Sequence, residues 1–368
     1  MQRKLTKNNQ AGFSLIEMMI AVTVMVLVSS AVVTLMKGSM VISTANFELT
    51  DAQQNVRTAQ EYINRDLMNA GDGLKTVSNI WVPSTFFANY LSLTAITDPD
   101  APLNVRRLGI LTSDNQVPAG TVVVGANPAT TILSVPNPSP SPPTLTDRQT
   151  ILEIDPQFIP IAPSTIDATG TLVTLPSGAD MTQFTVKEIY YLSSSVGGTF
   201  ATITSINSGS RQLTFGVGDT YGLNLSGTAN LIKLISTNGT LATSLQRMRM
   251  IHYYVNANKF LMRRVFGAKC VPSVTCTGFQ ESIIAEHVLN VQFNYSLDMT
   301  DSAGNVVQPT ATLLTPNDRT NVRQVEVTVT VETPHTLQSG SRSQLSMSTS
   351  TSVRNMQFRQ ATQPQPGG

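Results

Sequence analysis

Charge is scarce in this chain: Asp, Glu, Lys and Arg make up 13% of 368 residues, and the formal net charge is +1. A chain so lean in charge, filled out by Ser, Thr, Asn, Gly and Pro, has the makeup of an extracytoplasmic β-rich protein rather than a cytosolic enzyme. It has no basic field to draw phosphates, so nucleic acid is not expected as a partner. Cysteine is nearly absent. Cys270 and Cys276 enclose only Val271–Thr275, and a close pair in an exported chain reads as a disulfide before it reads as a metal site. Zinc would need further ligands, and His252, His287 and His335 are scattered without HxxxH or CxxC spacing, so they are read as ordinary surface or strand residues. Asp98, Asp100, Asp114 and Asp147 are calcium candidates by residue type, but they lack EF-hand spacing and are read as loop and turn residues. No GxSxG, HExxH or P-loop pattern occurs. The Ser-rich stretch 339–352 alternates like a strand instead of forming a nucleophile turn, so neither enzymatic activity nor any metal or cofactor is expected.

What the chain does have begins at its N-terminus. Residues 13–36 form an apolar run of 24 residues interrupted by one charge, Glu17, and about 20 helical residues suffice to cross a bilayer. Arg3, Lys4 and Lys7 precede the run with no acidic residue between them. The positive-inside rule then keeps the N-terminus cytoplasmic and sends everything after Lys37 across the membrane. The natural cleavage point, Ala11-Gly12, lies before the apolar run rather than after it, so the anchor is retained. Losing residues 1–12 removes three of the 24 basic residues and leaves 21 against 23 acidic ones.

Gly12-Phe13-Ser14-Leu15-Ile16-Glu17 resembles the class III signal of type IV prepilins and type II secretion pseudopilins. The resemblance implies a dedicated prepilin peptidase that cuts after Gly12 and methylates the new amine on Phe13. It also implies that Glu17 approaches the N-terminal amine of a neighbouring subunit during assembly. An ionisable side chain inside a membrane segment costs a few kcal/mol on insertion scales and marks function. Such a charge pair is expected to act as a register device, each charge being costly to leave alone.

Beyond the apolar run, Leu49, Ala52, Val56, Ala59, Ile63, Leu67 and Ala70 recur three or four apart, with polar residues between them. The helix is thus expected to continue to Ala70 and stop at Gly71, with Gly38 a place where it loosens. After Gly73 the expectation is strands: 121–124, 150–154, 171–175, 188–192, 199–206, 212–215, 230–234, 248–255, 260–266, 288–295, 322–331 and 343–353. The runs 248–255 and 260–266 read as a hairpin across Asn256–Lys259. The run Val325, Val327, Val329, Val331 marks a strand with one face against a core. Pro136–Pro143 reads as a stiff linker and 360–368 as a disordered tail.

The expected fold class is therefore α+β: a long N-terminal pilin helix, transmembrane and then amphipathic, packed on a large antiparallel β-rich domain. The expected division is a leader at 1–12, a helix at 13–71 with its membrane part at 13–36, a body at 74–359 with 74–247 as a candidate insertion, and a tail at 360–368. Within the prepilin group, Ala52–Val56, Tyr62–Leu67, Asn69–Gly71, His252–Val255, Leu261–Arg264, Ile284–Tyr295, Val322–Val329 and Ser352–Asn355 resemble the PilW-like minor pilins, with the GspJ-type minor pseudopilins close. That resemblance implies an inner-membrane and filament protein whose partners are the prepilin peptidase, other minor pilins, the major pilin and a tip adhesin. It implies priming of assembly or a place at the tip. A type II secretion pseudopilin, or an adhesive or DNA-uptake subunit on the same scaffold, are the alternatives.

Overall fold

The computed structural model describes residues 14–74, 80–87, 105–118, 122–123, 130–131, 145–194, 197–236, 244–267, 279–298, 309–313, 321–337 and 340–353. Gly12, Phe13, Cys270, Cys276, Asp98, Asp100, the Pro136–Pro143 segment and the 360–368 tail lie outside these residues. The chain divides into two units, one of Met1–Asp51 with Thr333–Ser343, the other of Ala52–Glu332 with Gln344–Gly368.

Helix α1 runs over Leu15–Asn69, close to the span that apolar periodicity predicts. It has no proline, and Gly38 does not interrupt it. A single exposed glycine costs a helix only about 1 kcal/mol, which its neighbours, mostly good helix formers, absorb. In the first unit the helix from Ser14 to Met40 is fully exposed, and the Thr333–Ser343 loop meets it higher up. There Glu48 accepts from the His335 backbone N–H at 3.1 Å and lies 2.7 Å from His335 Nδ1.

In the second unit the elements follow in the order β1 (Ile80–Pro83), α2 (Ser84–Phe86), β2 (Val105–Leu108), β3 (Leu111–Asp114), β4 (Val122–Val123), β5 (Thr130–Thr131) and β6 (Arg148–Ile154). Next come β7 (Thr165–Ile166), β8 (Leu172–Thr174), β9 (Ile189–Ser193), β10 (Gly198–Thr202), β11 (Ser205–Asn207) and β12 (Gln212–Thr214). Helix α3 (Leu231–Ile235) precedes β13 (Ser244–Val255), β14 (Leu261–Phe266), β15 (Phe279–Ala285), β16 (Val288–Leu297), β17 (Val322–Glu332) and β18 (Gln344–Ser352). A nine-stranded sheet is ordered β15-β14-β13-β9-β10-β1-β2, with β6 also on β13 and β3 on β6. The long β13 makes this fork possible: residues 244–247 pair with β9, while 248–253 pair with β6. Its hairpin with β14 has Val255 opposite Leu261, as expected. Strands β1, β2, β3, β6, β9 and β10, all before residue 203, thus share one sheet with β13, β14 and β15.

The sheet is buried on both faces around β9 and β10. On β9, Ile189 and Tyr191 join the large core that includes α1, while Tyr190 and Leu192 join a second core with Val173 and Leu213 of the small sheet β11-β12-β8-β7 and with Phe215 just after β12. This explains why β9 and β10 are buried at every position instead of alternating. The third sheet, β16-β17-β18, behaves as the sequence predicts: Val325, Val327, Val329 and Val331 are buried, with Glu326 exposed and Thr328 and Thr330 half-buried between them.

The run 230–234 is a correction. It forms α3, not a strand, because Asn230 caps it: the Asn230 side chain accepts from the Lys233 N–H at 3.0 Å, and Leu231, Ile232 and Ile235 turn inward. Asp114 is a second correction. It ends β3 and forms a buried ion pair with Arg148 instead of lying in a loop. Asp147, just before β6, is buried as well, and it accepts from the backbone N–H groups of Gln116 and Phe293 at 2.8 and 2.9 Å. His252 is likewise a buried strand residue, with Nδ1 2.9 Å from Thr150 Oγ1. Burial, then the nearby Arg148 and Arg264, hold its pKa well below the usual imidazole value.

Candidate functional site

The apolar part of α1 is the region whose chemistry the chain leaves unsatisfied. No residue of its most apolar 18-residue stretch is buried, and that stretch is long and apolar enough to cross a membrane. Leu15, Met18, Met19, Ile20, Met25 and Leu27 all point outward. Exposed apolar residues continue through Met40 and Ile42 to Phe47. From Leu15 to Phe47 the helix covers roughly 50 Å, more than the ~30 Å of hydrocarbon in a bilayer. Three threonines inside the run look after themselves. Thr23, Thr34 and Thr44 donate their hydroxyls to the carbonyls of Met19, Ser30 and Met40, four residues back, so none needs an outside partner.

Glu17 sits in the first turn, where helix N–H groups are unpaired and the helix dipole favours negative charge. Its Oε2 accepts from the Ser14 backbone N–H at 3.0 Å, and the Ser14 hydroxyl accepts from the Ile16 N–H at 3.4 Å. Ser14-Leu15-Ile16-Glu17, visible in the sequence as S-x-x-E, thus makes the glutamate half of a capping box, with the serine bonded one residue earlier than the full box requires. The carboxylate therefore has a partner within its own helix, so a second chain is not needed merely to keep it from being bare.

The same stretch carries the decisive likeness. Residues 7–33 match the prokaryotic N-terminal methylation motif. This chain is a prepilin-like protein, with one long apolar N-terminal helix consistent with a single membrane anchor and with the type IV pilus and type II secretion systems in general. The motif implies processing by a prepilin peptidase. No curated protein and no solved structure matches the chain.

The prepilin helix is joined to the β-rich domain in the second unit. Ala52, Val56, Ala59, Ile63, Leu67 and Ala70 are buried against both large sheets. Gln60 Nε2 donates to the Met347 carbonyl at 2.9 Å, and the Thr351 hydroxyl donates to Asn64 Oδ1 at 2.6 Å, so helix side chains reach β18. Near the helix end Asp66, 3% exposed, accepts from the Tyr253 hydroxyl and from Arg263 Nε, both at 2.6 Å. The apolar periodicity did not include this acid. Its one sequence signal is a carboxylate next to Leu67 on the buried side of an amphipathic helix.

The chain leaves the helix through Gly71 and Gly73, both at positive φ (75° and 73°). The Gly71 N–H donates to the Leu152 carbonyl at 2.8 Å, and the Ile154 N–H donates to the Asp72 carbonyl at 3.1 Å, so residues 71–72 run along β6. A Cβ on Gly73 would lie 2.8 Å from Ile154 Cβ. Glycine is needed there both for the backbone angle and for the space.

Proposed function

We propose that this prepilin-like protein is a PilW-like minor pilin of a type IV pilus. In this reading it waits in the inner membrane as a single-pass protein, its N-terminus cytoplasmic and its body periplasmic. It is then built into the filament, where it primes assembly or sits at the tip. The observation that carries the reading is the exposed apolar helix from Leu15 to Met36, headed by the methylation motif and continuing into a helix half locked onto a β-rich domain. That stretch is about as long as the hydrocarbon of a bilayer is thick, and the exposed Met40, Ile42 and Phe47 beyond it offer surface to protein neighbours. A body built on a nine-stranded sheet with two further layered sheets is bulky for a subunit repeated along a shaft, and this favours a rare position.

Cleavage after Gly12 frees the Phe13 amine, and that amine stands one residue before the N–H to which Glu17 is bonded. In the assembled filament a neighbour's amine competes for the same carboxylate. The capping bond is a neutral donor's, and a charged donor in a low-dielectric bundle makes the stronger partner. Glu17 thus passes from a partner in its own helix to one in the next subunit, and the exchange sets register.

The test is recovery from the native host of wild type, Gly12→Ala and Glu17→Ala, with N-terminal mass spectrometry and sheared-filament preparations. Wild type is expected to begin at methylated Phe13 and to appear in filaments at far lower copy than the major subunit. Gly12→Ala is expected to stay in the membrane with its leader, and Glu17→Ala to be cleaved but absent from filaments. Wild-type protein that keeps residues 1–12, or full incorporation of Glu17→Ala, would overturn the reading. Recovery with secretion pseudopili instead of pili would assign the chain to a type II secretion system.

A further inference from the structure

Glu153 lies at the point where the helix end joins the sheet. Its two chain neighbours, Leu152 and Ile154, make the backbone hydrogen bonds to Gly71 and Asp72 described above, so the acid sits in the middle of that backbone clasp. It is 6% exposed. Across from it in register on β13 is Arg249, whose Nε lies 3.0 Å from Glu153 Oε1 but is not aligned to donate to it. Asp66 approaches from α1 and Arg263 from β14, with Asp155 just beyond the end of β6. Asp66 has already engaged Arg263 and the Tyr253 hydroxyl. Two carboxylates thus face one joint, and the cation nearest Glu153 is about a third exposed and poorly aimed.

We infer that the joint between α1 and the sheet is a proton-sensitive coupling, tight when Glu153 is neutral and looser when it is charged. Burial drives the Glu153 carboxyl up to about 7, with Arg249 and Arg263 pulling it down and Asp66 and Asp155 pushing it up. Lifting α1 away would admit water and remove Asp66, returning the group toward 4.5. The docked state therefore holds a proton that the undocked state releases, and docking weakens as pH rises between those two values and levels off above the upper one. The coupling lies where the assembly helix meets the body, so its stiffness sets how firmly one is held to the other. This inference needs only the described second unit and stands whether the chain serves a pilus or a pseudopilus.

Hydrogen exchange on the full chain in detergent micelles tests it, comparing amide protection of residues 52–69 at about pH 5.5 and about pH 8 after correction for intrinsic exchange. Wild type is expected to lose ~10-fold or more in protection at the higher pH, about what one unit of linked titration supplies. Glu153→Gln should lose distinctly less protection than wild type over the same interval, the remainder being what other raised carboxyls such as Asp147 contribute. Equal protection of wild type at both pH values would overturn the inference, as would an undiminished pH effect in Glu153→Gln. If the variant fails to fold, isotope-edited infrared titration of the wild-type carboxylates decides. No glutamate titrating near 7 would sink the idea.

Discussion

At the scale of single residues, three positions show how local physics sets what each can do. Glu17 is a capping residue before it is anything else: its place in the first turn gives it a donor and a favourable dipole at once. That lowers the cost of carrying a carboxylate into the membrane and leaves the group available for exchange during assembly. Gly38 and Gly73 make a second contrast. A methyl group at Gly38 meets nothing within 4 Å, while at Gly73 it meets Ile154 and an unfavourable φ. Gly73→Ala is expected to cost the body about 2–4 kcal/mol, combining left-handed backbone strain with overpacking. Gly38→Ala is expected to leave the body's melting unchanged. Thermal unfolding followed by circular dichroism compares the two, and a Gly73→Ala protein as stable as wild type would show that residues 71–73 can leave β6 without loss.

At the scale of elements, the sheets are stitched together by buried polar groups whose protonation changes with pH. Asp147 links the segment before β6 to β16, accepting from the Phe293 N–H, and Gln292 Nε2 lies 3.2 Å from its Oδ1. Burial pushes it up to about 7 against those hydrogen bonds. A carboxyl raised in the folded state binds more protons there than in the unfolded chain, so stability falls as pH rises from about 4 to about 7. Asp155 works the other way. Although burial opposes it, bonds from the Gln157 N–H and Arg247 hold it below its usual range, so its contribution is present above its unfolded value and is lost as pH falls through the folded one. The body is expected to melt highest in mildly acidic buffer and lower near neutrality. Asp147→Asn should flatten the neutral side of that profile, and a profile unchanged by the substitution would contradict the link.

At the scale of the molecule, the boundary between the two units falls within α1, after Asp51. The membrane-length half contributes nothing to the body's core, whereas Ala52, Val56, Ala59, Ile63 and Leu67 are part of it. A chain starting at residue 38 is therefore expected to be soluble and to melt cooperatively. A chain starting at residue 71 exposes the whole apolar bed that α1 covers, and it is expected to aggregate or to lack a cooperative transition. Calorimetry and light scattering on the two truncations check this, and a stable, monomeric shorter chain would mean that the helix half is an accessory rather than a part of the fold.

Much of this was legible in residue order alone. The apolar run, the three-and-four spacing up to Ala70, the glycine stop, the β13–β14 hairpin and the alternation of β17 are local patterns, and local patterns report on elements whose one face meets a core. Strands β1, β2, β3, β5, β7 and β15 escaped notice because they are short or carry no clear alternation, so their sheet neighbours define them. Residues 230–234 were apolar enough for either structure, and the Asn230 cap tipped them into a helix. Asp66 and Glu153 could not be singled out, and Asp147 was read only as a loop or turn residue, since a carboxylate's pKa and partners depend on segments that fold back from far along the sequence. The anchor, its methylation motif and its capping acid were determined by sequence, because a membrane helix satisfies its own backbone. Tertiary structure alone decided how that helix is fastened to its cargo, because the groups that fasten it come together only when distant strands pair.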